Sequence, residues 1–263
     1  MPLPVGRPMT DFELNPGTLS GVDRQLVVDR VYGTSEQSMS ARWELMLCHD
    51  DVPLGGRRFD YEGLVARARQ RLPRKSYGTV TDFTSWIYEL YGVQRKAEAL
   101  LRGQAAEAQI YKSRIPRPRN PTWELVHCGM QGATEAAQPV PLCDYRSSSL
   151  IVKGQPLRAS PDYVFRERTA ARGSERIVIV EVKHSQAPIP VDLWPNVRAQ
   201  LWAYSKIDTF ASASEIILVA EVWGGVKSPG LRRSASWRRG DEQLEFECAQ
   251  LFNVYRSLVE ATR

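Results

Sequence analysis

The chain has 263 residues, 43% of them hydrophobic and 25% charged, with a formal net charge of +5 and a sequence pI near 9.1. That apolar fraction is enough to bury a full core, and no apolar run approaches the length that spans a bilayer, so a membrane protein is excluded as an expectation. The basic excess favours a polyanionic partner, and arginine, whose planar fork suits phosphate, supplies 28 of the 35 basic side chains, although genome base composition would produce the same bias.

Residues 1 to about 40 are polar and rich in Gly, Pro and Ser, apart from a short apolar piece around 26–31, and read as an arm or partner-binding strap. The start, Met-Pro-Leu-Pro-Val-Gly-Arg, has no secretory hydrophobic region, so a cytoplasmic protein is expected. Helical periodicity follows over 61–72 and 80–91, the second carrying Phe83, Trp86, Tyr88 and Tyr91 as an aromatic stripe suited to a core. Arg67, Arg69, Arg71, Arg74 and Lys75 read as a solvated surface. A third helix is expected over 94–112, with an apolar stripe through Ala97, Leu100, Leu101, Ala108 and Tyr111; Glu107 falls on that stripe and Glu98 off it. Lys112, Arg114, Arg117 and Arg119, with Pro116 and Pro118 among them, form an extended basic connector. Residues 121–129 read as a strand, 130–147 as a loop, and 148–153 as a strand turning at Gly154.

The next stretch carries the chemistry. Pro161 suits a strand entry because it cannot donate to a ladder, which makes Asp162 the first side chain past it. The polar segment 166–176 reads as a hairpin connection to Ile-Val-Ile-Val-Glu-Val-Lys at 177–183, a β-branched run fitted to a central strand buried on both faces. Alternation puts Ile177, Ile179, Glu181 and Lys183 on one face and Val178, Val180 and Val182 on the other. An antiparallel pair would bring Asp162 close to Glu181. Two carboxylates facing one point attract a hard divalent cation; a plain strand-end ion pair is the simpler account of the Glu-Val-Lys triplet taken alone. After a Pro-rich loop, 195–207 reads as an amphipathic helix with Pro195 in its first turn and Gln200 and Tyr204 one turn apart beside Val197 and Leu201. Residues 215–223 follow as a strand. From Lys227 to Arg239 the chain is basic and free of acids, and reads as a loop. Two uses of it stand side by side: a phosphate-tracking path on Arg232, Arg233, Arg238 and Arg239 with Trp237 stacked on an unpaired base, or a solvated connection. Residues 244–259 close the chain as an amphipathic helix with Leu244, Phe246, Leu251, Phe252, Tyr255 and Leu258 on its apolar side.

In order and spacing, Pro161-Asp162, Glu181-Val182-Lys183 and Gln200-Leu201-Trp202-Ala203-Tyr204 resemble the PD-(D/E)XK nuclease superfamily, and within it the RecB-type group marked by a Gln-x-x-x-Tyr helix. The resemblance implies an α/β fold, with a restriction-endonuclease-like mixed β-sheet core flanked by helices over 93–263 and an N-terminal arm and mainly helical cap over 1–92. It also implies an upstream helical acid, which Glu107, four residues after Gly103, matches. In that frame Asp162, Glu181 and the Val182 carbonyl hold Mg²⁺ or Mn²⁺, with Glu107 contributing directly or through water, Lys183 orients or helps deprotonate the attacking water, and Gln200 and Tyr204 brace Lys183 or a substrate phosphate. Some members of the group carry an iron–sulfur cluster on closely spaced cysteines. Cys48, Cys128, Cys143 and Cys248 lack that spacing, so no cluster is expected. Cys48-His49 and His127-Cys128 are better read as reduced core residues than as a composite zinc site.

The implied function is metal-dependent phosphodiester hydrolysis, with DNA favoured over RNA as the nucleic-acid partner. The cutting subunit of a repair, recombination or anti-mobile-element defence assembly, with a protein partner, is compatible with the irregular N-terminal region. The competing reading is a catalytically silent nuclease-fold module that binds nucleic acid or a protein.

Overall fold

In a computed structural model, which describes residues 59–74, 77–91, 105–106, 123–129, 145–167, 175–185, 189–190, 192–225 and 230–262, the chain forms a mixed sheet flanked by helices. Helices α1 (Tyr61–Ala68) and α2 (Val80–Tyr91) precede strand β1 (Trp123–Cys128) and the hairpin β2 (Tyr145–Val152) and β3 (Gln155–Ala159). Strands β4 (Tyr163–Glu167) and β5 (Arg176–His184) lead to helix α3 (Pro195–Tyr204), a 3₁₀ turn at Asp208–Phe210, strands β6 (Glu215–Gly224) and β7 (Gly230–Arg238), and helix α4 (Glu242–Ala261). Of the helix expected over 94–112 only Ala105 and Ala106 are described, and both are helical; Glu107 lies outside the described residues. No helix among the described residues is long and apolar enough to cross a membrane.

Local chemistry accounts for the element ends. Asp60 caps α1 by accepting from the Gly63 N–H at 2.9 Å, and Asp241 caps α4 by accepting from the Leu244 N–H at the same distance. Thr79 and Asp82 bond reciprocally at the start of α2: the Thr79 N–H donates to Asp82 at 2.9 Å and the Asp82 N–H to the Thr79 hydroxyl at 3.0 Å. Lys153 and Gly154 both have positive φ, 48° and 74°, which is what a two-residue hairpin turn between β2 and β3 demands.

The five-stranded sheet has the order β1-β4-β5-β6-β7, antiparallel except for β5 against β6. The apolar run at 177–183 lies at its centre, as its composition requires. One face, including Ile177, Ile179, Leu218, Ala220, Val222 and Trp237, packs on the helices, with Leu64 and Phe83 of α1 and α2 in the same core. On the other face Val178, Val180, Ile217, Val219 and Trp223 are all fully buried. At the N-terminal end of β5 a ladder of alternating charge crosses four strands. Arg176 pairs with Glu167 at 3.2 Å and approaches Glu215 at 3.9 Å, and Glu215 forms an ion pair with Arg238 at 2.9 Å.

Two expected elements differ. The supposed basic loop after Lys227 is strand β7 from Gly230 onward, because Arg233, Ala235 and Trp237 alternate onto the core face beside Val222, Ala220 and Leu218 of β6. On α4, Phe246 is 67% exposed. It lies two residues, about 200° around the helix, from Leu244, and the buried stripe runs instead through Leu244, Cys248, Leu251, Phe252, Tyr255 and Val259.

Candidate functional site

The C-terminal ends of β5 and β6 and the entry to β4 meet beneath α3. In the β4–β5 ladder Tyr163 pairs with Val180 and Val164 with Ile179, so the same register carries Asp162 opposite Glu181 on one face. The Val182 N–H donates to Asp162 Oδ2 at 2.7 Å, which fixes the carboxylate at the strand edge. In an extended strand the N–H and C=O of one residue point the same way, so the Val182 carbonyl faces this gap as well. The Asp162 backbone is held from the other side, where its carbonyl accepts from the Gly129 N–H at 2.8 Å. A Cβ at Gly129 would come within 2.6 Å of the Pro161 carbonyl oxygen, so this close approach of β1 requires glycine.

Glu181 is 3% exposed. Its Oε1 accepts from Lys183 Nζ and, at 2.7 Å, from Gln200 Nε2. The second hydrogen of that amide goes to the Tyr204 hydroxyl at 2.8 Å, and the hydroxyl donates to the Ser160 carbonyl at 3.1 Å. A continuous relay therefore runs from the backbone before Pro161 through Tyr204, Gln200 and Glu181 to Lys183. Burial, reinforced by the Glu181 and Asp162 charges, raises the Tyr204 pKa well above its ordinary value and keeps the hydroxyl a donor. Glu181 Oε2 is buried and has no hydrogen-bond partner. An orphaned carboxylate oxygen in a buried site carries a cost of about 1–3 kcal/mol, which a cation would remove.

Helix α3 positions the relay and is buried on every side, unlike the half-exposed amphipathic helix expected from its pattern. Arg198 explains how a polar residue sits there. It pairs with Glu247 of α4, its guanidinium lies 5.4 Å from the Tyr61 ring and 5.8 Å from the Trp237 ring, and it donates to the Asp192 carbonyl at 3.4 Å. Neighbouring polar groups tie α3 down further: Tyr91 to Asn196, and Trp202 Nε1 to Glu245 at 2.8 Å. The sequence reading missed Arg198, Glu247 and Ser160, whose roles depend on tertiary neighbours.

The residues present suit a hard divalent ion, which needs only one or two carboxylates with the remaining positions filled by water and phosphate oxygens. Among the described residues no three His, Cys, Asp or Glu side chains converge as a metal-holding group. Asp162 and Glu181 are two, and the third expected ligand, Glu107, lies outside the described residues.

The basic residues expected on a nucleic-acid path are otherwise employed. Trp237 is 2% exposed and packed in the core, so its face is not open to a base; this corrects the reading of an exposed ring, because strand alternation turns it inward. Arg239 donates to the carbonyls of Phe210, Ala211 and Ala213 at the 3₁₀ turn, Arg238 pairs with Glu215, and Arg232 and Arg233 donate to the carbonyls of Ser185 and Pro190.

No family model matches the chain, and no curated protein matches it. Among solved structures it is similar to the crystal structure of SSO0001, at 13% identity over 84% of this chain and 86% of that one, with a TM-score of 0.32, too low to bear on fold or activity.

Proposed function

We propose that the chain is a metal-dependent nuclease of the PD-(D/E)XK type, with DNA as its favoured substrate. The observation that carries this reading is the buried, unpartnered Glu181 Oε2, set opposite Asp162 and beside Lys183. The element order supports it, since antiparallel β4 and β5, then α3, then β6 parallel to β5 run in the strand–strand–helix–strand order that the sequence resemblance leads one to expect.

Asp162, Glu181 and the Val182 carbonyl would hold Mg²⁺ or Mn²⁺, with Glu107 as a further ligand. When bound, such an ion supplies positive charge at the scissile phosphate and a more acidic water. Lys183 then has two tasks: its ammonium orients the attacking water and offsets charge growing on the phosphoryl oxygens. Water oxygen forms a bond to phosphorus, the phosphorus–oxygen ester bond breaks, and no covalent enzyme intermediate forms. Gln200 fixes the Glu181 rotamer, and Tyr204 fixes Gln200, as supporting groups around metal sites do.

The test incubates purified protein with linear and circular single- and double-stranded DNA, and RNA, in Mg²⁺, Mn²⁺ or EDTA. Cleavage should need the cation and be lost in Lys183→Ala. Cleavage by Lys183→Ala at the parent rate would overturn the assignment. Binding without cleavage under all cations would favour a silent nucleic-acid-binding module.

A further inference from the structure

Two adjacent arginines on β7 reach in opposite directions to the same connector. Arg232 Nη1 donates to the Ser185 carbonyl at 2.7 Å, and Arg233 Nη1 donates to the Pro190 carbonyl at 2.5 Å. Ser185 is the point at which β5 leaves the sheet. Its N–H makes the last rung with β6, to the Trp223 carbonyl at 2.8 Å, and the preceding His184 ring contacts the Gly225 carbonyl at 2.8 Å. Lys183 lies two residues before that rung. Strand ends fray unless their outer backbone groups find partners, and fraying from Ser185 would pass His184 and reach Lys183 before Glu181. Pro190 stands at the other end of the connector, ahead of α3 and Gln200.

Gly224 makes room for this arrangement. A Cβ at that position would run into Arg232 Cδ and lie 3.0 Å from its Cγ. The arginine stem therefore passes across the bare glycine on the neighbouring strand to reach Ser185. Because the obstructing atoms belong to a flexible side chain, a methyl group at Gly224 would displace Arg232 before it displaced the strand.

We infer that Arg232 and Arg233 are positioning residues that clamp the two ends of the β5–α3 connector, and so hold Lys183 and Gln200 in their working geometry. The inference rests on the nuclease reading for its catalytic consequence, but the clamp itself is a property of the fold. It also replaces the expectation that this pair touches phosphate. A guanidinium committed to a backbone carbonyl contributes geometry rather than counterion release.

The experiment compares the full chain with Arg232→Ala, Arg232→Lys and Gly224→Ala. It measures kcat and KM on linear DNA, the salt slope of DNA binding, and amide hydrogen exchange over residues 184–194. Arg232→Ala should lose about 10–100-fold in kcat, with KM and salt slope unchanged and faster exchange in the connector. Gly224→Ala should reproduce both effects with the arginine still present, and Arg232→Lys, which can still donate to Ser185, should recover part of the rate. Unchanged exchange in both Arg232→Ala and Gly224→Ala would overturn the clamp. So would a raised KM and a salt slope reduced by about 0.9 at constant kcat, the signature of a phosphate contact. If the parent cleaves nothing, the nuclease reading fails, and the exchange data alone still decide whether the clamp exists.

Discussion

Divalent cation should stabilise the folded protein through Glu181, by an amount that can be estimated. The carboxylate is 3% exposed, one oxygen is occupied by Lys183 and Gln200, and the other has no partner. An ion held by Glu181 and Asp162 would bind only the folded chain, because unfolding separates residues 19 positions apart in sequence. At a free concentration 100 times its dissociation constant it adds about 2.7 kcal/mol. For a domain of this size each kcal/mol moves Tm by roughly 2–4 °C, so the shift should be about 5–10 °C. The assay is thermal unfolding of the parent, Glu181→Gln and Asp162→Asn in EDTA and in millimolar Mn²⁺ or Mg²⁺. Glu181→Gln keeps the volume and the Lys183 and Gln200 neighbours but removes the anionic ligand, so its Tm should hardly respond to cation. Equal shifts in parent and Glu181→Gln would place the binding elsewhere. No shift in the parent would refute the argument that the orphaned oxygen awaits a metal.

Trp237→Ala should lower stability by about 3–5 kcal/mol, as large core truncations do, while DNA affinity per folded molecule stays constant; urea unfolding and binding together check this, and lost affinity at parental stability would restore the exposed-ring reading. Gln200→Ala should reduce kcat about 10–100-fold and weaken cation binding in titration, whereas Tyr204→Phe, which removes the hydroxyl that accepts from Gln200 and donates to Ser160 but leaves the Gln200–Glu181 bond in place, should cost about 1–3 kcal/mol and less activity. Burial lowers the His127 pKa against a smaller opposing effect of the Pro161 carbonyl. The unfolded value lies above the folded one, so stability from neutral His127 is complete above about pH 6.5 and is lost as pH falls through the lower folded value. Urea midpoints from pH 7.5 down to 5 should fall less steeply for His127→Phe than for the parent; equal slopes would assign the acid sensitivity elsewhere.

What was legible in the chain is what a local pattern can encode. The β-branched run at 177–183, Pro195 in the first turn of α3, and the turn at Gly154 each act through backbone geometry or alternation, and a strand, a helix and a hairpin form there. The facing of Asp162 and Glu181 followed from reading an antiparallel pair. Burial was harder to read. Arg198 on α3 and Arg233 on β7 look like surface residues until Glu247, Tyr61 and the Pro190 carbonyl are in place to receive them. The same ambiguity turned a strand rich in arginine and serine into an expected loop, because charge masked an alternation that places Ala235 and Trp237 inside. Phe246 shows the reverse error, an aromatic counted as core when the helical angle puts it outside.

The charge ladder across β4, β5, β6 and β7 has a further consequence. The interior of β5 is Ile-Val-Ile-Val, apolar on both faces, so sliding it by one residue would exchange one aliphatic side chain for another, and hydrophobic patterning does not choose between the alignments. A slip would nevertheless turn Glu181 onto the opposite face and set Arg176 against Ile216 instead of Glu215. Arg176, flanked by Glu167 and Glu215, thus works as an index mark about 17 Å from Glu181 along the strand, taking five residues at the extended rise. Half-exposed ion pairs that add little to the depth of the folded minimum decide which of several nearly equivalent alignments that minimum contains. The carboxylate pair inherits its alignment from charges it never touches.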